Sequence, residues 1–164
     1  MEGHGRQEAE YPDVAVFVLV SEMAGIVGSV FTVDSISTWY AGLEKPAFSP
    51  PNWVFGPVWT LLYLLMGIAA YLVWEKGMGK KGVRKALMVF GAQLAVNALW
   101  SIVFFGMQNS MAAFFVIIVL WALIIENIRE FYPISKWAGL ALIPYILWVS
   151  FAAILNFAIW MLNP

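Results

Sequence analysis

Five stretches of this chain are so long and so apolar that their backbone needs lipid, or a very large core, around it. They run roughly Val14–Ile36, Trp53–Trp74, Ala86–Phe105, Met111–Ile128 and Trp137–Leu162. A helix crossing the hydrocarbon of a bilayer needs ~20 predominantly apolar residues, and each run meets or nearly meets that. Backbone in hydrocarbon must satisfy its own hydrogen bonds, so five helices are the economical reading. The 164-residue chain is 62% hydrophobic and only 12% charged, where a soluble domain carries about 25% charged residues. The expected fold class is therefore an all-α integral membrane protein, a five-transmembrane-helix bundle. Residues 1–164 read as a single transmembrane domain with a polar N-terminal tail at 1–12. The first run is too long, and too poor in basic residues before it, for a cleaved signal peptide. No period of 20–50 residues repeats, which argues against the inverted-repeat plan of many transporters.

Charge sets the expected direction. Arg6, Lys76, Lys80, Lys81, Arg84, Lys85, Arg129 and Lys136 fall on one side of such a bundle, and only Lys45 on the other. By the positive-inside rule the N-terminus and the basic loop 75–85 face the cytoplasm, and the C-terminus lies opposite. The basic loop reads as an orientation signal and a lipid-headgroup contact, not a nucleic-acid site. There is no cysteine, which removes disulfides and thiolate chemistry together. His4, the single histidine, sits in the polar tail and reads as solvated.

The connector 37–52 is unusual. The stretch KPAFSPPNWVFGPVW, Lys45–Trp59, holds Pro46, Pro50, Pro51 and Pro57 among large aromatics. Proline fixes φ and pushes the preceding residue toward extended backbone, so Ser49-Pro50-Pro51 cannot be helix interior. The second helix is expected to begin at Asn52 as its N-cap. A stiff connector of low entropy suits a lid over the bundle mouth. Tyr40 and Trp53 fit either that lid or an interfacial aromatic belt.

Three helical faces combine tryptophan with small or polar residues. Trp59, Tyr63, Met66 and Ala70 form one stripe on the second helix. Gln93, Asn97, Trp100 and Phe104 repeat the spacing on the third, and Trp148, Ala152 and Asn156 follow Pro144 on the fifth. Uncharged polar groups within a span prefer the bundle interior, so these faces are expected to converge. The amides fit either hydrogen bonding between helices or a pocket wall. Three indoles turned inward would offer flat π surfaces to a planar ligand. With no lysine or arginine deep in a span, the guest that fits best is large, flat and mostly apolar. The candidate ligand-binding set is Trp39, Phe55, Trp59, Tyr63, Asn97, Trp100, Trp148, Ala152 and Asn156.

Glu22 lies about nine residues into the first run, where an ionised carboxylate needs a partner, water or a proton. Ligand contact, proton handling and simple burial all remain open for it. Asp34 and Glu126 lie near span ends and read as interfacial. There is no second deep acid, no Ser/His/Asp set, no metal-ligand cluster and no glycine-rich phosphate loop. No metal and no resident cofactor are expected. Ser21, Gly25 and Ser29, and Gly91 with Ala95, make small-residue ridges suited to close helix contact within the bundle or between protomers of a homodimer.

WYAGLEKPAFSPPNWVFGPVWTLLYLLMGIAAYLVW, QLAVNALWSIVFFG and PYILWVSFAAILNFAIW together resemble the TspO/MBR family of tryptophan-rich sensory and translocator proteins. The likeness runs from about Ser29 to Trp160. It implies five transmembrane helices, frequent homodimers, and porphyrin binding of the protoporphyrin IX type within the bundle beneath the first loop. By motif, Trp59 and Trp148 are similar to the two tryptophans tied to porphyrin binding and light-dependent porphyrin degradation in bacterial members. Asn97, Trp100, Tyr63, Ala152 and Asn156 resemble further pocket positions. The sterol-recognition segment of mammalian members needs a tyrosine and then a basic residue; LNFAIWMLNP has Phe157 and no basic residue, so that role is not expected here. The leading reading is a porphyrin-binding receptor or sensor linked to tetrapyrrole metabolism and stress. The alternatives are a photo-oxidative porphyrin-degrading enzyme with Trp59 and Trp148 as its catalytic rings, or a tetrapyrrole or lipid translocator.

Overall fold

The computed structural model describes residues 10–164, with side chains described from Val14 onward; His4 and Arg6 lie outside the described residues. Helix α1 runs Glu10–Ser37 and α2 Phe55–Trp74. Helix α3 covers Val83–Ser101, α4 Ser110–Phe131, α5 Lys136–Ala141 and α6 Ile143–Leu162. Among the described residues, five helical spans are long and apolar enough to cross a membrane, the fifth being α5 and α6 together. The chain is an all-α, multi-pass integral membrane protein.

Three local departures from the expected spans have physical causes. Asn52 is not a helix N-cap: it opens a short 3-10 turn, Asn52–Val54, in which the Val54 N–H donates to the Pro51 carbonyl at 3.1 Å. The fifth run is not one helix. Pro144 has no N–H to give the Leu140 carbonyl and its ring crowds that carbonyl, so the helix breaks at Leu142 and restarts. The third run ends in a π turn, Ile102–Gly106, closed by the Met107 N–H on the Ile102 carbonyl at 2.8 Å. The extra residue in that wide turn brings the rings of Phe104 and Phe105 within 4.7 Å of each other. The Ser35 hydroxyl of α1 donates to the Phe105 carbonyl at 2.6 Å, satisfying a backbone group beside the turn.

Much of the surface of α1 is exposed, and glycine governs where it docks. A Cβ on Gly67 of α2 would lie 2.5 Å from Val18 Cα, so only glycine lets the two backbones meet there. Gly25 faces the Tyr63 ring, where a Cβ would come within 2.5 Å. The ridge expected on α1 is therefore used inside the bundle. The ridge on α3 is not: Gly91 and Ala95 are exposed, and a Cβ on Gly91 would meet nothing.

A polar chain crosses the centre. The Tyr63 hydroxyl donates to Asn97 Oδ1 at 2.6 Å, and Asn97 Nδ2 donates to Tyr145 Oη at 2.6 Å. The Tyr145 hydroxyl donates to Gln93 Oε1 at 2.8 Å, and Gln93 Nε2 reaches Met66 Sδ at 3.6 Å. This ties α2, α3 and α6 without a formal charge. At the end of the bundle that carries the basic loop, Lys85 pairs with Glu130 at 2.5 Å and Glu126 at 3.9 Å, joining α3 to α4 at the exposed surface.

Candidate functional site: an aromatic cavity beneath the connector

A cavity of about 460 Å³ opens between α1, α2, α3 and α6, within the size range of small-molecule sites. Its aromatic wall is Phe55 and Trp59 from α2, Trp100 from α3, Phe104 and Phe105 from the π turn, and Trp148 from α6. Tyr63, Ala152 and Asn156 also line it. Trp59 stands 6.3 Å from Trp100 with ring planes 30° apart, and 5.7 Å from Tyr63 at the same tilt. Trp100 continues the series onto Phe104 at 5.4 Å. Trp148 meets Phe55 edge-on at 6.0 Å. Spacings of this kind are those of rings packed on one another, so the wall is a continuous aromatic surface.

Hydrogen bonds hold Trp100 and Tyr63 in place. Trp100 Nε1 donates to Asn156 Oδ1 at 3.0 Å, and Asn156 Nδ2 donates to the Ser110 carbonyl at 2.7 Å. Asn156 thus sits on the wall and fixes an indole, combining the two roles its position allowed. Trp148 Nε1 is shielded from solvent and has no acceptor.

Two of the proposed residues are not on the wall. Asn97 lies in the buried polar chain behind Tyr63, where helix-to-helix hydrogen bonding takes all the partners described above. Trp39 packs edge-on against Phe104 at 5.4 Å, supporting a lining ring from outside. The sequence reading also missed a whole wall. Glu22, Gly25, Ser29, Thr32 and Ile36 of α1 line the cavity, at steps of three and four. The signal was the small-and-polar ridge of the first run, which is periodic but carries no tryptophan.

The connector closes the outer end. Tyr40 is buried against Phe104 and Phe105 at 6.3 and 5.9 Å and lines the cavity, while Trp53 stands at its rim, 75% exposed. Lys45 lies over the Tyr40 ring at 4.7 Å. Burial raises the Tyr40 phenol above its ordinary range, with the Ser49 side chain pulling the other way. Phe48 packs edge-on against Phe151 at 6.2 Å. Asn163, just past α6, holds both backbone groups of Glu44: its Oδ1 accepts from the Glu44 N–H at 3.0 Å and its Nδ2 donates to the Glu44 carbonyl at 2.9 Å.

The sequence matches the TspO/MBR family over residues 17–161. It is 52% identical over 139 residues to the tryptophan-rich protein TspO of Archaeoglobus fulgidus, covering 85% of this chain and 89% of that one. It is 36% identical over 151 residues to a tryptophan-rich sensory protein of Cereibacter sphaeroides, covering 92% and 93%. The human translocator protein is 36% identical over 149 residues, covering 90% and 88%. With five membrane-crossing spans and this extent of similarity, the chain belongs to the TspO/MBR family.

Proposed function

We propose that this protein is a membrane receptor or sensor that binds a flat, mostly apolar tetrapyrrole of the protoporphyrin IX type in the cavity, linking tetrapyrrole levels to a stress response. The observation that carries this reading is the ring of Trp59, Trp100 and Trp148 around one space beneath the connector. A planar guest gains contact with several ring faces there, each worth roughly 0.5–1.5 kcal/mol beyond simple burial. The N-terminus and loop 75–85 face the cytoplasm in this reading, on the eight-to-one split of basic residues. The exposed Gly91–Ala95 ridge suits pairing with a second copy.

Protoporphyrin IX is expected to quench intrinsic tryptophan fluorescence saturably in purified protein. Trp148→Ala should weaken that binding by about tenfold, removing a ring worth of the order of 1 kcal/mol in stacking plus its burial. Quenching that does not saturate, or is unchanged in Trp148→Ala, defeats the reading.

A second reading is favoured by the aromatic series Trp59–Trp100–Phe104, whose neighbouring centroids lie 6.3 and 5.4 Å apart. In that reading the indole of Trp59 or Trp148 gives one electron to the illuminated porphyrin, Trp100 refills the Trp59 radical cation, and dioxygen takes up the electron and supplies the oxygen of the product. Illumination in air would then yield a new tetrapyrrole absorbance. Trp59→Phe is expected to keep binding and lose that product; a product formed at the same rate in the variant removes the photochemical role.

A further inference from the structure

Glu22 is the one carboxylate on the cavity wall, and no lysine, arginine or histidine joins it there. Four other hydroxyls that line the cavity donate elsewhere. Ser29 Oγ donates to the Ile26 carbonyl at 2.8 Å, Thr32 Oγ1 to Gly28 at 3.0 Å and Thr60 Oγ1 to Gly56 at 2.9 Å. The Tyr63 hydroxyl is committed to Asn97. Among the described residues Glu22 itself has no ion pair and no hydrogen bond. A carboxylate within a span, on a cavity wall, with no partner of its own, is an acceptor built without its donor.

Its place in the cavity adds direction. Glu22 and Ile36 both line the space and stand fourteen residues apart on one helix, ~21 Å along its axis. Glu22 marks the inner end, where Gly25 lets α1 close onto the Tyr63 ring. The aromatic layer of Trp59, Trp100 and Trp148 lies between it and the connector.

We infer that Glu22 anchors a protonated amine or other cationic N–H group at the inner end of the slot. The ligand class is then a flat apolar ring system carrying one basic nitrogen at its leading edge. This rests on the slot reading above and extends it: the carboxylates of an anionic guest are repelled from this end and turned toward the connector. A charge-assisted hydrogen bond to a carboxylate within a span is strong enough to set such a preference.

The test compares pyrenemethylamine with methylpyrene, by energy transfer from tryptophan in maltoside micelles, which carry no amine. The full chain should bind the amine about tenfold more tightly than its neutral analogue. Glu22→Gln should erase that preference, read as the ratio of the two affinities within the variant, and Glu22→Asp should keep part of it. A lipid amine offers the same chemistry. Loss of the preference on adding phosphatidylethanolamine, with no such effect in Glu22→Gln, identifies the membrane as the source; an unaffected preference identifies a free small molecule. Methylpyrene bound saturably with no amine preference, or a preference surviving in Glu22→Gln, removes the anchor and leaves the slot standing. If neither pyrene binds saturably, the slot reading fails and takes this inference with it.

Discussion

Gly67→Ala will lower the stability of the solubilised protein by about 1–3 kcal/mol, the usual cost of forcing one methyl group into a packed contact. The added Cβ would meet Val18 Cα at 2.5 Å, Val18 N at 2.8 Å and the Phe17 carbonyl at 2.9 Å. All three are backbone atoms of a helix and cannot rotate aside, so α1 must move bodily. α1 also packs on α3 and the π turn, so those contacts are strained as it moves. Movement of α1 also displaces the wall from Glu22 to Ile36, so ligand affinity should fall with stability. Gly91→Ala is the control: nothing lies near its new methyl, and better helix propensity gains up to about 1 kcal/mol. Thermal unfolding followed by circular dichroism checks the pair. A Gly67→Ala protein as stable as the parent would show that the α1–α2 contact is not this close.

Asn97→Leu will be costly for a different reason. A single hydrogen bond between membrane helices contributes only about 0.6 kcal/mol on average, because the separated helices find other partners. Asn97 is the middle of a chain, however, accepting from Tyr63 and donating to Tyr145. Leucine strands the buried Tyr63 hydroxyl and removes the donor to Tyr145. The penalty for a stranded buried group is the larger effect, and about 2 kcal/mol is expected. The diagnostic is coupling. Tyr63→Phe should destabilise the parent, and should cost little or nothing in the Asn97→Leu background, where the hydroxyl has already lost its acceptor. Strictly additive losses would mean that the four side chains do not act as one network.

Much of this architecture is legible in the sequence, since lipid imposes a simple rule on long apolar runs. The five spans and the inward tryptophans of α2, α3 and α6 follow from length and helical period. What escapes is local. The break at Leu142 depends on the proline two residues on, which an apolarity count does not register. The π turn at Ile102–Gly106 has no composition signal, yet it brings two phenylalanines together on the wall. The α1 wall was hidden because its face is built of small and hydroxylated residues, which describe close packing and a cavity lining equally well. Asn97 shows the converse: helical period places a residue on the inward side, but not in which layer of the interior its side chain ends.

The hold of Asn163 on Glu44 joins positions 119 apart in the chain. Asn163 is also the C-cap of α6, its N–H donating to the Ile159 and Trp160 carbonyls at 3.0 and 3.2 Å. The roof over the cavity and the terminal turn of that helix therefore share one fastening. When the final turn frays, the connector loses that fastening in the same event, so opening of the cavity mouth is coupled to the unwinding of a helix end.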